Sequence, residues 1–305
     1  MAEPLDATIY VGPTDQVDEL IAELGPDARL VAPGGRLVIA PGPPRVAAWA
    51  HDVWLAPHRI EVPSITKAAQ ALRALGRNWV HEPTAHHRRA ALIAEQLPHL
   101  DPKPIAFPSP LPSAPLGAWT LVERDQLLAS PRCASPFPHG EPAFVENKTD
   151  PPSRAYLKLW EALTHAQRLP ARGQRCVDLG ASPGGWTWVL ASLGAQVTSV
   201  DKAPIDRRLL AMPNVVYRGE SAFGLDPRAL APVDWMVSDI ICYPARMLGL
   251  LERWLAVYPD ASYVCTIKFK GEVDLAPLRA LVATHGGTLR HLFHGKHELT
   301  WTRLA

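Results

Sequence analysis

The chain has almost no charge bias: 31 Lys and Arg stand against 30 Asp and Glu, a formal net charge of +1. No global field advertises a polyanion, so any nucleic-acid surface has to be a local patch. Cysteine is scarce. Cys133, Cys176, Cys242 and Cys265 show no metal-ligand spacing, and three of them fall in or beside strand-like runs. They read as reduced core thiols, and no metal is expected. The opening Met1-Ala2-Glu3-Pro4-Leu5-Asp6 has no basic segment followed by an apolar stretch, so no signal peptide is expected. No run approaches the ~20 apolar residues that cross a bilayer. A cytoplasmic protein without a membrane partner is the expectation. Two nucleotide-binding signatures are also missing: the Gly-x-Gly-x-x-Gly dinucleotide fingerprint and the Gly-Lys-Ser/Thr of a phosphate-binding loop.

What is present is organised around Val177-Asp178-Leu179-Gly180-Ala181-Ser182-Pro183-Gly184-Gly185-Trp186. An apolar run carries an acid, a glycine turn follows, and a helical pattern continues to Leu193. A strand, turn and helix of this kind opens an α/β sheet that binds a nucleotide-like ligand at the strand's carboxyl end. Glycine there lets backbone approach ligand where a Cβ would clash. Ala195 to Val200 reads as the next strand and ends at Asp201, about twenty residues past the turn, where an acid can accept from both hydroxyls of a ribose. Asp178 and Asp201, at successive strand ends, point to a nucleoside cofactor.

The length admits two domains. Residues 1–97 read as a small α+β domain: a strand at Ala7–Val11, a helix from Asp15 to Leu24, two short strands around the Pro33-Gly34-Gly35 turn, and a helix from Ile65 to Leu75. The element type of Val46 to Ile60 stays open. His86-His87-Arg88-Arg89 starts a further helical stretch ending near Leu97. Adjacent histidines diverge on a helix and make poor co-ligands, which leaves a solvated basic helix start or a contact to RNA phosphate. Residues 98–150 are proline-rich and read as a linker or strap, interrupted by strand character at Ala118 to Glu123. Residues 151–305 form the core domain. Strands at Val215–Tyr217, Val233–Ser238 and Ala261–Ile267 alternate with helices at Pro244–Val257 and Asp274–His285, as a parallel sheet demands. Thr288–Phe293 and Glu298–Arg303 close the chain as an antiparallel hairpin.

Lys158, Asp239, Lys268 and Glu298 all fall at element ends on the ligand side of such a sheet. Any one alone is an ordinary surface or capping charge. Four converging beside a cofactor crevice are a candidate catalytic group.

The Asp-Leu-Gly-Ala-Ser-Pro-Gly-Gly-Trp run, with the Lys, Asp, Lys, Glu order, resembles the FtsJ/RrmJ-type ribose 2′-O-methyltransferases. Pro-Ser-Arg-x-x-Leu-Lys-Leu-x-Glu-Ala at 152–162, Thr-Ile-Lys-Phe and Glu-Leu-Thr-Trp are similar to the RlmM branch, which methylates a cytidine ribose of large-subunit ribosomal RNA. The resemblance spans about half the chain, from residue 150 to 305. It implies a Rossmann-like methyltransferase domain, S-adenosyl-L-methionine as methyl donor, ribosomal RNA as partner and a Lys158-Asp239-Lys268-Glu298 tetrad. Two departures stand out. The branch carries a longer amino-terminal region with a THUMP module, of which only a strand-helix start is matched here. Ser182 stands where the family commonly has Ala or Cys.

Position and resemblance together place Ser182, Gly184, Gly185 and Trp186 around the methionine end of the cofactor, with Asp178, Gly180, Pro183 and Asp239 as further cofactor contacts. Asp201 would take the ribose hydroxyls. Glu220 would accept from the adenine amino group or stand as a solvated loop acid. Ser153 is a cofactor contact by resemblance. Lys268 is the candidate base, with Lys270 its rival on the same strand face. A lysine needs a depressed pKa to act as a base at pH 7, and a neighbouring Lys158 could supply it; otherwise Lys268 orients the hydroxyl. On the substrate side stand Arg154, Arg207, Arg208, Arg246, Lys270, Lys296 and the 86–89 cluster, with residues 1–97 as the recognition module. The alternatives are a non-catalytic RNA-binding or assembly protein on the same fold and a nucleotide-dependent oxidoreductase. The missing dinucleotide fingerprint and the closing hairpin weigh against the second. Neither an Asn-Pro-Pro-Tyr-like motif nor a paired-cysteine arrangement follows Ser238, which weighs against methylation of a base or protein.

Overall fold

In the computed structural model, which describes residues 2–305, the chain forms two compact units. One comprises the chain up to Ile105 with Leu111–Ala143, the other Ala106–Pro110 with Phe144–Ala305.

The first unit contains β1 (Ala2–Pro4), β2 (Ala7–Val11), α1 (Val17–Leu24), β3 (Arg29–Leu30), β4 (Leu37–Pro41), β5 (Asp52–Trp54), β6 (His58–Glu61), α2 (Ile65–Leu75), β7 (Trp79–His81), α3 (His87–Ala94), β8 (Gly117–Glu123) and β9 (Gln126–Ser130). A five-stranded sheet runs β1-β6-β9-β8-β7, and a four-stranded sheet runs β3-β4-β2-β5. Strand alternation explains the layering. Trp119, Leu121, Leu127 and Ala129 pack with Ala68 and Leu72 of α2 and Ala90 and Ile93 of α3. The intervening Ala118 and Leu128 meet Ile9, Leu37 and Trp54 of the smaller sheet. The Val46–Ile60 stretch is settled as β5 and most of β6. Residues 98–150 are not a linker: β8 and β9 inside them are central strands. Proline is dense up to Pro115 and again after Ser130, and between them the apolar residues serve both faces of a buried strand.

The second unit adds α4 (Tyr156–Ala166), β10 (Arg175–Leu179), α5 (Gly185–Ser192), β11 (Gln196–Val200), α6 (Arg207–Leu210), β12 (Val215–Arg218), β13 (Trp235–Ser238), α7 (Pro244–Val257), β14 (Ser262–Lys268), α8 (Ala276–His285), β15 (Thr288–Arg290) and β16 (Glu298–Arg303). Its sheet runs β12-β11-β10-β13-β14-β16-β15. All pairs are parallel except those of β16, which runs antiparallel to β14 and β15. This is the expected Rossmann-like sheet with its closing hairpin. Leu179 pairs with Val200 on one side and Ser238 on the other, so the chain reverses its direction of travel across the sheet between β10 and β13. A crevice opens at such a switch point, outside the carboxyl ends of the strands.

The expected strand at Thr288–Phe293 stops at Arg290. The cause lies in α4: the buried Glu161 carboxylate accepts the backbone N–H of Phe293 at 2.7 Å and of His294 at 3.0 Å, drawing that segment off the ladder. No helix among the described residues is long and apolar enough to cross a membrane.

Candidate active site

Gly180 leaves β10 at φ +78°, and a Cβ on it would lie 2.3 Å from the Cγ1 of Ile240, just past β13. Only a glycine lets the two loops close on each other there. Gly184 follows at φ +117° and starts α5 without a side-chain cap. The first N–H groups of α5 have no acceptor inside the helix and lie at the crevice side of the turn. A Cβ on Gly185 would come within 2.6 Å of the Ser153 hydroxyl. That hydroxyl is buried and has no hydrogen-bond partner.

The acids around the turn divide into two kinds. Asp201 holds the turn from its rim, accepting the N–H of Ser182 at 3.0 Å and of Ala203 at 2.9 Å, one on each carboxylate oxygen. Each oxygen keeps a lone pair. Ser182 itself donates its hydroxyl to the Pro204 carbonyl at 2.9 Å. Asp178 lies behind the turn, 1 % exposed, accepting the Thr187 hydroxyl at 2.7 Å. Burial pushes its carboxyl up to about 7, and the nearby Asp239 adds to the shift while Thr187 opposes it. Through Thr187 it braces the start of α5. Trp186 is likewise buried, its indole donating to the Ala155 carbonyl at 2.8 Å; it ties α5 to the start of α4. Pro183 is exposed on the turn. Glu220 accepts from the Arg218 guanidinium at 2.5 Å and remains partly exposed.

The four ionisable residues come together. Lys158 Nζ, from α4, lies 2.6 Å from Asp239 Oδ1 and 3.0 Å from Glu298 Oε1. Lys268 Nζ, from the end of β14, lies 2.8 Å from Asp239 Oδ1 and 3.7 Å from Glu298 Oε2. Register explains half of this, because Lys268 and Glu298 are direct cross-strand partners. Each carboxylate thus bridges both ammonium groups. Burial alone would raise Asp239, but Lys158 and Lys268 outweigh it and hold the carboxyl below its ordinary range. Lys268 is the most exposed side chain of the four, at 18 %, and Glu298 the least, at 5 %. The group therefore presents one ammonium at its mouth and keeps the other as internal counter-charge.

Sequence reasoning missed Thr266. Its hydroxyl, fully buried, donates to Asp239 Oδ1 at 2.7 Å. The available signal was period two along β14, which puts Thr266 and Lys268 on one face. It also missed the role of Glu161, one turn beyond Lys158 on α4. Its carboxyl is fully buried, which would raise it, yet His165 and His294 bring it down to about 2. Among the named cations, Arg154 is paired with Glu146 at 2.6 Å, Arg208 with Asp206 at 2.9 Å, and Arg246 lies 3.8 Å from the Phe223 ring centre. Among the described residues no group of three or more His, Cys, Asp or Glu could hold a metal ion.

Comparison with known proteins agrees with this architecture. Residues 151–248 match the FtsJ-like methyltransferase family. The ribosomal RNA large subunit methyltransferase M of Azoarcus sp. is 41% identical over 185 residues, covering 55% of this chain and 50% of that protein. The protein of the same description from Ectopseudomonas mendocina is 33% identical over 230 residues, covering 64% of each. The chain thus spans between half and two thirds of the length of these relatives. A solved fibrillarin of Aeropyrum pernix with bound S-adenosyl-L-methionine aligns at a TM-score of 0.38, with 17% identity over 49% of this chain and 76% of that one. The stretch that matches the FtsJ-like methyltransferase family, residues 151–248, carries the glycine turn and Asp239.

Proposed function

We propose that the protein transfers a methyl group from S-adenosyl-L-methionine to a ribose 2′-hydroxyl of RNA, with ribosomal RNA in the cytoplasm as substrate. The observation that carries this reading is the closed Lys158-Asp239-Lys268-Glu298 group beside the glycine turn, with Lys268 at its mouth. The crevice suits the donor. The orphaned Ser153 hydroxyl, the uncapped start of α5 and the free lone pairs of Asp201 offer partners for its amino-acid end and its ribose. Ser182, Gly184 and Gly185 would shape the cradle, and Glu220 would meet the adenine end. When bound, the donor supplies an already electrophilic methyl on sulfur.

A ribose hydroxyl is a very weak acid, so the protein's task is alignment and removal of one proton. Lys268 donates a hydrogen bond to the hydroxyl oxygen and fixes its line of attack. Asp239 and Glu298 fix Lys268 in turn, and Lys158 balances the two carboxylates. Asp239 and Glu298 hold Lys268 Nζ in place, so the geometry supports an orienting role. With a donor bound, methyl transfer to the oxygen held by Lys268 would release the donor's sulfur as a neutral thioether and the hydroxyl proton to solvent. We place RNA recognition in the first unit, where α3 begins with the exposed His87 and Arg88.

The test is transfer of labelled methyl from S-adenosyl-L-methionine to total RNA and ribosomal particles, wild type beside Lys268→Ala. Label in an alkali-resistant dinucleotide, reduced at least a hundredfold in the variant, is the expected result. Donor binding without transfer to any RNA would overturn the reading in favour of a non-catalytic binding protein.

A further inference from the structure

The segments that follow Asp239 and Lys268 carry a feature that the tetrad does not explain. Ile241 is 75 % exposed and Tyr243 is 63 % exposed. Large apolar side chains are costly to leave in water unless something covers them. From the other strand end, Lys270 Nζ sits 5.4 Å from the centre of the Tyr243 ring. Lys270 lies two residues past the end of β14, with the buried Phe269 between it and Lys268. Lys270 is two residues from Lys268, at most about 7 Å along the chain, and Tyr243 is four from Asp239, at most about 14 Å. An open aromatic face with a cation on it therefore stands within a nucleotide's reach of the tetrad.

Aromatic faces beside lysine or arginine are how proteins hold unstacked bases and their phosphates. We infer that Tyr243 is the stacking surface for the base of the target nucleotide or its neighbour, with Lys270 neutralising the adjoining phosphate. The substrate class is then RNA whose target nucleotide is unpaired, because a base still paired and stacked in a duplex has no free face to offer. This rests on the reading of the second unit as an RNA methyltransferase and specifies its acceptor.

The experiment measures binding of the full chain to a labelled single-stranded oligoribonucleotide of mixed sequence and to the same sequence annealed in a duplex. Wild type, Tyr243→Ala, Tyr243→Phe and Lys270→Ala are compared, with donor affinity measured alongside. The inference expects wild type to prefer the single strand. Tyr243→Ala weakens that binding about tenfold or more, within the range for loss of one base–aromatic stack. Tyr243→Phe stays within twofold of wild type, Lys270→Ala flattens the salt dependence, and donor affinity is unchanged in all four. Single-strand affinity within twofold of wild type in Tyr243→Ala, an equal loss on duplex, or no binding of wild type to either RNA would overturn it and leave the patch to a protein contact. The two readings fail separately. Tyr243-dependent binding without methyl transfer removes the catalytic reading alone, and ribose methylation indifferent to Tyr243 removes this one alone.

Discussion

At the residue scale, Asp239 is the hub, because both lysines and Thr266 converge on it. A carboxylate held by three donors has a fixed direction, and it passes that direction to Lys268. Thr266→Val keeps volume and β propensity while removing one hydrogen bond to a charged acceptor, a loss of roughly 1.5–3 kcal/mol where it is fully felt. The expected outcome is a tenfold or larger fall in kcat for methyl transfer with donor affinity within twofold of wild type. Single-turnover kinetics beside calorimetric titration of the donor would check it; equal losses in both would mean that Thr266 only holds the strand. The tetrad itself was legible in the sequence because each member ends an element, where a charge has no packing reason to be. Thr266 was not legible, because an inward threonine in a strand looks like any β-branched filler. Asp178 invites a ligand role as an acid at a strand end, and its burial and its bond to Thr187 were not legible in the sequence.

At the element scale, α4 joins the Lys158-Asp239-Lys268-Glu298 group to the closing hairpin. Lys158 on its first turn meets Asp239 and Glu298, and Glu161 one turn later holds the backbone of Phe293 and His294, the segment that leads into Glu298. Glu161→Gln keeps one acceptor and loses the charge shared with His165 and His294. The Glu161 carboxyl is depressed to about 2. Its contribution is therefore present above the unfolded value, near 4, and fades as pH falls toward 2. Urea unfolding should show the variant less stable by about 2 kcal/mol at pH 7, with the gap closing between pH 4 and pH 2. A gap independent of pH would mean that lost packing, not lost charge, is responsible. The parallel strands and their helices were legible from apolar runs broken by glycine or proline. β8 was legible as the strand character at Ala118 to Glu123, but its hairpin partner β9 was hidden because prolines crowd the residues before the pair and again after Ser130. The shortened β15 was hidden because its limit is set by a carboxylate from a helix far away in sequence.

At the scale of the whole molecule, two buried acids lower stability as pH rises toward neutrality, while burial lowers His81, which acts with the opposite sign. Asp52, in the first unit, accepts the N–H of Val53 at 2.7 Å and of Ser135 at 2.8 Å, yet burial still raises it to about 6. Asp178, in the second, is raised to about 7, again chiefly by burial. Both would titrate near 4 in the unfolded chain. Between about pH 4 and pH 7 the native state holds protons that the unfolded state has released, so stability falls as pH rises through that window. Glu161, together with the lowered Glu82, Glu141 and Asp239, acts with the opposite sign at more acid pH. The stability maximum should therefore lie on the acid side of neutrality, near pH 5. Asparagine at either site keeps a carbonyl oxygen for the same donors and cannot ionise. Asp52→Asn with Asp178→Asn should flatten the decline above pH 5 and leave the acid limb untouched, read as urea midpoints from pH 3 to pH 8. A double variant that falls as steeply as wild type would mean that both acids reach water as they ionise, and that burial in the folded units is not what holds their protons.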